Sequence, residues 1–268
     1  MQLQNEPPWT CEMERSLLQY SVALIPMYCG SSTSDGQGKL AHPGSGTLVT
    51  TDNGHFILTA AHVWEELAKS DGIGLNLSLQ SDTYDNFVIE TKHLNPTATV
   101  RDNDEFGPDL CMLRIPIARL ALIQSRKIFY NLTVEKTEAL ATLADPPFSA
   151  WAIVGTPRDL GQINESETQG TFNHHVFQIG RPERLSRDDH DYLEFKVYDH
   201  PPAPRSFKGV SGGGVWRVLV ENNLVSRPVL EGVAFYQSPV QNEIRIIRCH
   251  GRHSIDHAIS RTVVRPDN

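Results

Sequence analysis

Ser211 stands among four glycines in the stretch Lys208-Gly209-Val210-Ser211-Gly212-Gly213-Gly214. Glycine is entropically costly in a folded chain, so such a cluster marks either a plain turn or backbone that must approach something closely. A serine hydroxyl becomes a nucleophile when a neighbouring base takes its proton, and the base works best when a third group orients it. Two other places supply the partners. In Thr59-Ala60-Ala61-His62-Val63 an apolar run ends in two small residues and then presents a histidine. In Gly107-Pro108-Asp109-Leu110 an acid stands at the mouth of another apolar run. Singly, a histidine at a strand end is ordinarily structural, and an aspartate after proline is ordinary turn chemistry. Together the three residue types can perform acyl transfer.

The elements that must position them are strands. Ser21 to Cys29, Gly46 to Thr50, Phe56 to Thr59, Asn86 to Thr91 and Leu110 to Ile115 are short apolar or β-rich runs separated by Gly, Asp, Asn and Pro. A mixed stretch from about Ala118 to Pro147 follows. A second set runs Ser149 to Val154, Thr171 to Ile179, Tyr192 to Tyr198, Gly214 to Val220, Val229 to Tyr236 and Glu243 to Arg248. Thr10 can cap a short helix ending near Tyr20, and Ile255, Ala258, Ile259 and Val263 share one face of a terminal helix. The expected fold is all-β: two six-stranded β-barrels with short N-terminal and C-terminal helices. The expected organisation is an N-terminal extension over 1–20, a first barrel over 21–125 carrying His62 and Asp109, a linker and second barrel over 126–250 carrying Ser211, and a helix and tail over 251–268.

The block Thr59-Ala60-Ala61-His62, the strand Asp109-Leu110-Cys111-Met112-Leu113-Arg114-Ile115 and the block Gly209-Val210-Ser211-Gly212-Gly213 occur in the order His, Asp, Ser. In type, order and spacing they resemble the trypsin-like serine peptidases; Val210, the few cysteines and an N-terminus unlike a secretory signal make the chain look more like their intracellular bacterial and organellar branches. Gly44 to Val49, Gly155-Thr156-Pro157 and Leu230 to Val233 are lesser echoes. The resemblance implies that Ser211 attacks a scissile carbonyl, that His62 takes and returns the proton, and that Asp109 holds the imidazole tautomer. It places the oxyanion hole at the N–H groups of Gly209 and Ser211.

Two departures matter. Val210 stands where the family usually has Asp or Asn, so activation by pairing that acid with a freed N-terminal amine is not expected. The residue six before the serine, at the base of the primary pocket, is Arg205, which would favour an acidic substrate side chain. Alternatively, the loop from His200 to Pro204 shifts the register and Arg205 faces solvent. The pocket walls fall on Ala234, Phe235, Tyr236 and Gln237, with Gln237 where many relatives keep glycine.

Bulk properties narrow the rest. The 268-residue chain has a formal net charge of −8, which disfavours nucleic acid and anionic membranes. No apolar run approaches a membrane span, and the N-terminus does not read as a secretory signal, so a cytoplasmic location is expected. Cys11, Cys29, Cys111 and Cys249 show no metal or disulfide spacing. His253 and His257 lie four apart but lack a carboxylate motif. His174-His175 read as a solvated loop or strand edge, and Gly161 to Thr171 as a mobile surface loop. No metal or cofactor is expected. The expected partner is a protein or peptide substrate, with an activating protein as a further one. Rival readings are a catalytically silent or partner-activated binding module of the same fold, and an esterase using the same three residues.

Overall fold

In the computed structural model the described residues are 9–28, 39–40, 43–79, 86–102, 106–134, 149–163, 170–198, 206–221, 224–225 and 228–260. Helix α1 (Trp9–Leu18) leads into β1 (Ser21–Tyr28), β2 (Lys39–Leu40), β3 (Gly44–Thr51) and β4 (Gly54–Thr59). Helix α2 (Ala61–Leu67) is followed by β5 (Gly72–Asn76), β6 (Asn86–Glu90), β7 (Asn95–Arg101) and β8 (Asp109–Arg114). The mixed stretch holds α3 (Ile117–Gln124) and β9 (Tyr130–Asn131), and its residues 135–148 lie outside the described set.

The second half contains β10 (Ser149–Gly155), β11 (Gln162–Ile163), β12 (Gly170–Thr171), β13 (His175–Ile179), β14 (Glu183–Arg187), β15 (His190–Tyr198), β16 (Gly214–Glu221), β17 (Leu224–Val225), β18 (Val229–Gln237) and β19 (Ile244–Gly251). Helix α4 (Arg252–Ser260) ends the described chain. The stretch expected as a surface loop starts and ends as the β11–β12 hairpin, with 164–169 undescribed.

Each sheet closes through one bent strand. The first runs β6-β5-β1-β3-β4-β8-β7, and its two end strands are consecutive in the chain, joined by the turn Thr91–His93. The second runs β13-β10-β16-β18-β19-β15-β14, and β13 leads into β14 through 180–182. Counting each bent pair once gives six principal strands per barrel, as the strand pattern implied.

Successive residues of a strand face opposite sides, and here both sides are apolar. In β8, Cys111 and Leu113 fill the first barrel, while Leu110 and Met112 join a core shared with the second. In β10, Trp151 and Ile153 fill the second barrel, while Ala152 and Val154 join the shared core. Met13 and Leu17 of α1 and Ile255 and Ala258 of α4 seal that shared core from outside the barrels. Asp191 fixes the start of α4, its Oδ1 accepting the Ser254 N–H at 2.7 Å.

Candidate active site

Strand β4 ends at Thr59, and the chain turns through the fully buried Ala60 and Ala61 into α2. Ala61, Val63 and Leu67 face inward, which leaves His62 on the open side of the helix. Gly44 makes room for this packing, since a Cβ there would lie 2.4 Å from Val63 Cγ1.

Asp109 is the first residue of β8. Its Oδ1 accepts the His62 main-chain N–H at 2.9 Å and its Oδ2 lies 2.5 Å from His62 Nδ1. Burial alone pushes the Asp109 carboxyl up, but the hydrogen bonds and charge of His62, with Arg101 behind, hold it below the usual carboxylate range. A carboxylate at Nδ1 keeps the proton there and leaves the Nε2 lone pair to act as base. Arg101 of β7 also pairs with Glu65 on α2, a tie from that helix to β7 beside its tie to β8 through Asp109.

Asp109 gives its own N–H to His250 Nε2 at 2.9 Å. His250 is fully buried, and its ring stacks on Phe235 with centroids 4.4 Å apart. Burial first, and then the neighbouring His190, push its pKa down to about 3 against the pull of Asp109, so the ring is neutral and Nε2 can accept. Its backing of the acid was not apparent in the sequence.

The serine loop explains its glycines. Gly209 and Gly212 have φ of +90° and +89°. A Cβ on Gly209 would lie 2.5 Å from Thr156 O, and one on Gly212 would lie 2.0 Å from Ser45 O. The N–H groups of Phe207, Lys208, Val210, Gly212 and Gly213 donate to Gln237 Oε1, Ser206 Oγ, Phe207 O, Ala234 O and Val210 O respectively. Those of Gly209 and Ser211 find no acceptor among the described residues. The Lys208 carbonyl accepts the Arg158 N–H at 2.7 Å. A trans peptide sets C=O and N–H in opposite directions, so the Gly209 N–H faces away from Arg158.

Ser45 of β3 clamps this loop from the first barrel. Its Oγ donates to Gly209 O at 2.6 Å and accepts the Thr156 N–H at 2.8 Å, while its own N–H donates to Ser211 O at 3.0 Å. The sequence showed Gly44 to Val49 only as an echo. Val210 is buried among Trp151, Ile153, Phe207 and Val215 in an apolar seat.

Ser211 Oγ makes one hydrogen bond among the described residues, a long one of 3.5 Å to Phe235 O. Beside it lies a cavity of about 140 Å³ lined by all four expected wall residues, Ala234, Phe235, Tyr236 and Gln237, together with Phe207, Val210, Ile247 and Lys208. Arg205 lies outside the described residues.

His175 starts β13, the end strand of its sheet, and His174 just before it is half-buried rather than solvated: it bonds Thr156 Oγ1 through Nδ1 and Asn76 O through Nε2, each at 3.2 Å, and burial pushes its pKa down to about 3. Among the described residues no group of three or more His, Cys, Asp or Glu could hold a metal, and no helix is long and apolar enough to cross a membrane.

Two antiparallel six-stranded barrels, with His62 and Asp109 on the first and Ser211 on the second, define a trypsin-like double-barrel fold. No known family profile and no curated protein matches the chain. Among solved structures it is similar to the MamO protease domain from Magnetospirillum magneticum in its apo form, at 14% identity and a TM-score of 0.43 over 90% of this chain and 96% of that one. It is also similar to a chain from a structure on aromatic interactions in the coupled folding and binding of the disordered Sesbania mosaic virus VPg protein, at 14% identity and a TM-score of 0.44 over 88% and 89%.

Proposed function

We propose that the chain is a serine endopeptidase. The observation that carries this reading is the paired bond of Asp109 to both His62 donors, set beside a serine loop in which the N–H groups of Gly209 and Ser211 find no acceptor among the described residues. A structural histidine does not need a carboxylate on both its N–H and its ring.

In the proposed reaction Ser211 Oγ bonds to the peptide carbonyl carbon as its proton passes to His62 Nε2. The carbonyl oxygen takes the electron pair and is held by the Gly209 and Ser211 N–H groups. Collapse breaks the C–N bond, and the amine leaves with the proton from His62. Water then gives a proton to His62 as it attacks the acyl carbon, and His62 returns that proton to Ser211 Oγ as the acyl C–O bond breaks and the carboxylic acid product leaves. The chemistry draws on no metal or cofactor. The described cysteines, Cys11, Cys111 and Cys249, are free thiols, which suits the reducing cytoplasm expected for it. An acidic substrate preference, expected from Arg205, has Lys208 at the cavity rim as described support, but the buried walls are apolar.

One observation favours the partner-activated reading: Ser211 Oγ bonds to Phe235 O and not to His62. Such bonds often tighten only when substrate is present. Incubation of the purified protein with a pool of unfolded protein or peptides separates the two. Cleavage that disappears in both Ser211→Ala and His62→Ala supports the peptidase; an intact pool favours a module that is silent or awaits a partner.

A further inference from the structure

We infer that Gln237 sets the primary specificity of this site, as a bar across the pocket that admits short, uncharged side chains on the residue preceding the cut bond; this rests on the peptidase reading above. The cavity lies between two walls, the backbone from Phe207 to Ser211 and the end of β18 from Ala234 to Gln237. Gln237 starts on the second wall, and its carboxamide is bonded to the first. Oε1 accepts the Phe207 N–H at 2.8 Å, and Nε2 donates to Ser206 Oγ at 3.2 Å. A side chain that starts on one wall and is bonded to the other crosses the space between them.

The bar is also braced. Arg245, 6% exposed, donates from Nη1 to the same Oε1 at 3.4 Å. A rotated carboxamide would turn its NH₂ toward two donors, so its orientation is fixed. Of the other lining residues Val210, Ala234, Phe235 and Ile247 are buried and apolar, Tyr236 is half-buried and Lys208 is exposed. A long substrate side chain must displace the carboxamide and leave the Phe207 N–H without its acceptor. A carboxylate would lose water against the apolar walls and could meet Arg245 only by displacing the same carboxamide, while an ammonium would find only the two cations Arg245 and Lys208. Alanine and valine need neither change.

Binding reads this without turnover. The Ser211→Ala chain is titrated with otherwise identical peptides ending at a free carboxylate in Ala, Val, Phe, Lys or Glu. The Ala and Val peptides are expected to bind at least about tenfold more tightly than the others, since a single misfitting methylene alone is worth about 10–200-fold. Adding Gln237→Gly is expected to raise affinity for the Phe peptide at least about tenfold. Gln237→Asn, one methylene too short to reach Phe207, is expected to move it in the same direction, and carries the test if the glycine variant does not fold. Phe or Glu peptides that bind as well as Ala, a ranking unchanged in the folded variants, or no binding by any peptide overturns the inference. Labelling of the wild type by an alkyl fluorophosphonate reads the peptidase assignment separately. Labelled protein without the Ala and Val preference defeats the pocket inference alone, and unlabelled protein with that preference defeats the catalytic reading alone.

Discussion

Asp109 is bonded on both its faces, to His62 through its carboxylate and to His250 through its N–H, so the acid is held from the substrate side and from behind. The cost of that backing is a buried neutral imidazole, and it makes stability depend on pH. His250 has its pKa lowered from the ordinary 6.5 to about 3. Between those values the unfolded chain binds a proton that the folded chain refuses, so the contribution is complete above pH 6.5 and is lost as pH falls toward 3. His174 behaves alike. The unfolding free energy is expected to fall with acidification across this window, by up to about 1.4 kcal/mol per pH unit for each proton. His250→Gln removes one such proton, and denaturant titrations from pH 7 to 4 are expected to show a shallower slope. An unchanged slope would mean that the ring is not held neutral. His62, Asp109 and Ser211 were legible because each carries its own local block of sequence. His250 was not, because its meaning comes from a contact with a residue 141 positions away.

At the scale of elements, the loop proposed to form the oxyanion hole is shaped as much by β3 as by its own glycines. Ser45 fills two bonding roles in a buried seat, and replacing it leaves Gly209 O and the Thr156 N–H without partners. Ser45→Ala is expected to lower stability by about 1–3 kcal/mol. It is also expected to lower kcat by ten- to a hundredfold, somewhat less than the roughly 10²–10³-fold cost of deleting an oxyanion donor outright. KM is expected to change little, and steady-state kinetics beside thermal unfolding check both parts. A variant that loses stability but keeps kcat would show that the clamp does not shape the hole. The strands were legible from their apolar runs and Gly or Pro punctuation. Barrel closure was not, because the bends at Thr91–His93 and at 180–182 read as ordinary turns between separate strands.

At the scale of the molecule, the two barrels share a core, and the site spans their junction. Trp216 is fully buried there, stacked on Tyr20 with centroids 5.0 Å apart and edge-on to Tyr130 at 5.3 Å, so the turn between α1 and β1, strand β9 and strand β16 meet at one indole. Trp216→Ala is expected to cost about 3–5 kcal/mol. The wild type is expected to unfold in one transition, with fluorescence and circular dichroism coincident; two separated transitions would mean the barrels are independently stable. Two sets of strands announced two barrels, but alternate residues of β8 and β10 serving different cores could be read only once both barrels were in place. The central claim is that this junction assembles one activated serine. Its most direct test is peptide mapping by mass spectrometry after exposure of the folded protein to a fluorophosphonate. The account predicts a single adduct on Ser211, absent in His62→Ala and formed about 10⁴-fold more slowly in Asp109→Asn. No adduct on Ser211, or an adduct that forms equally well without His62, would contradict it.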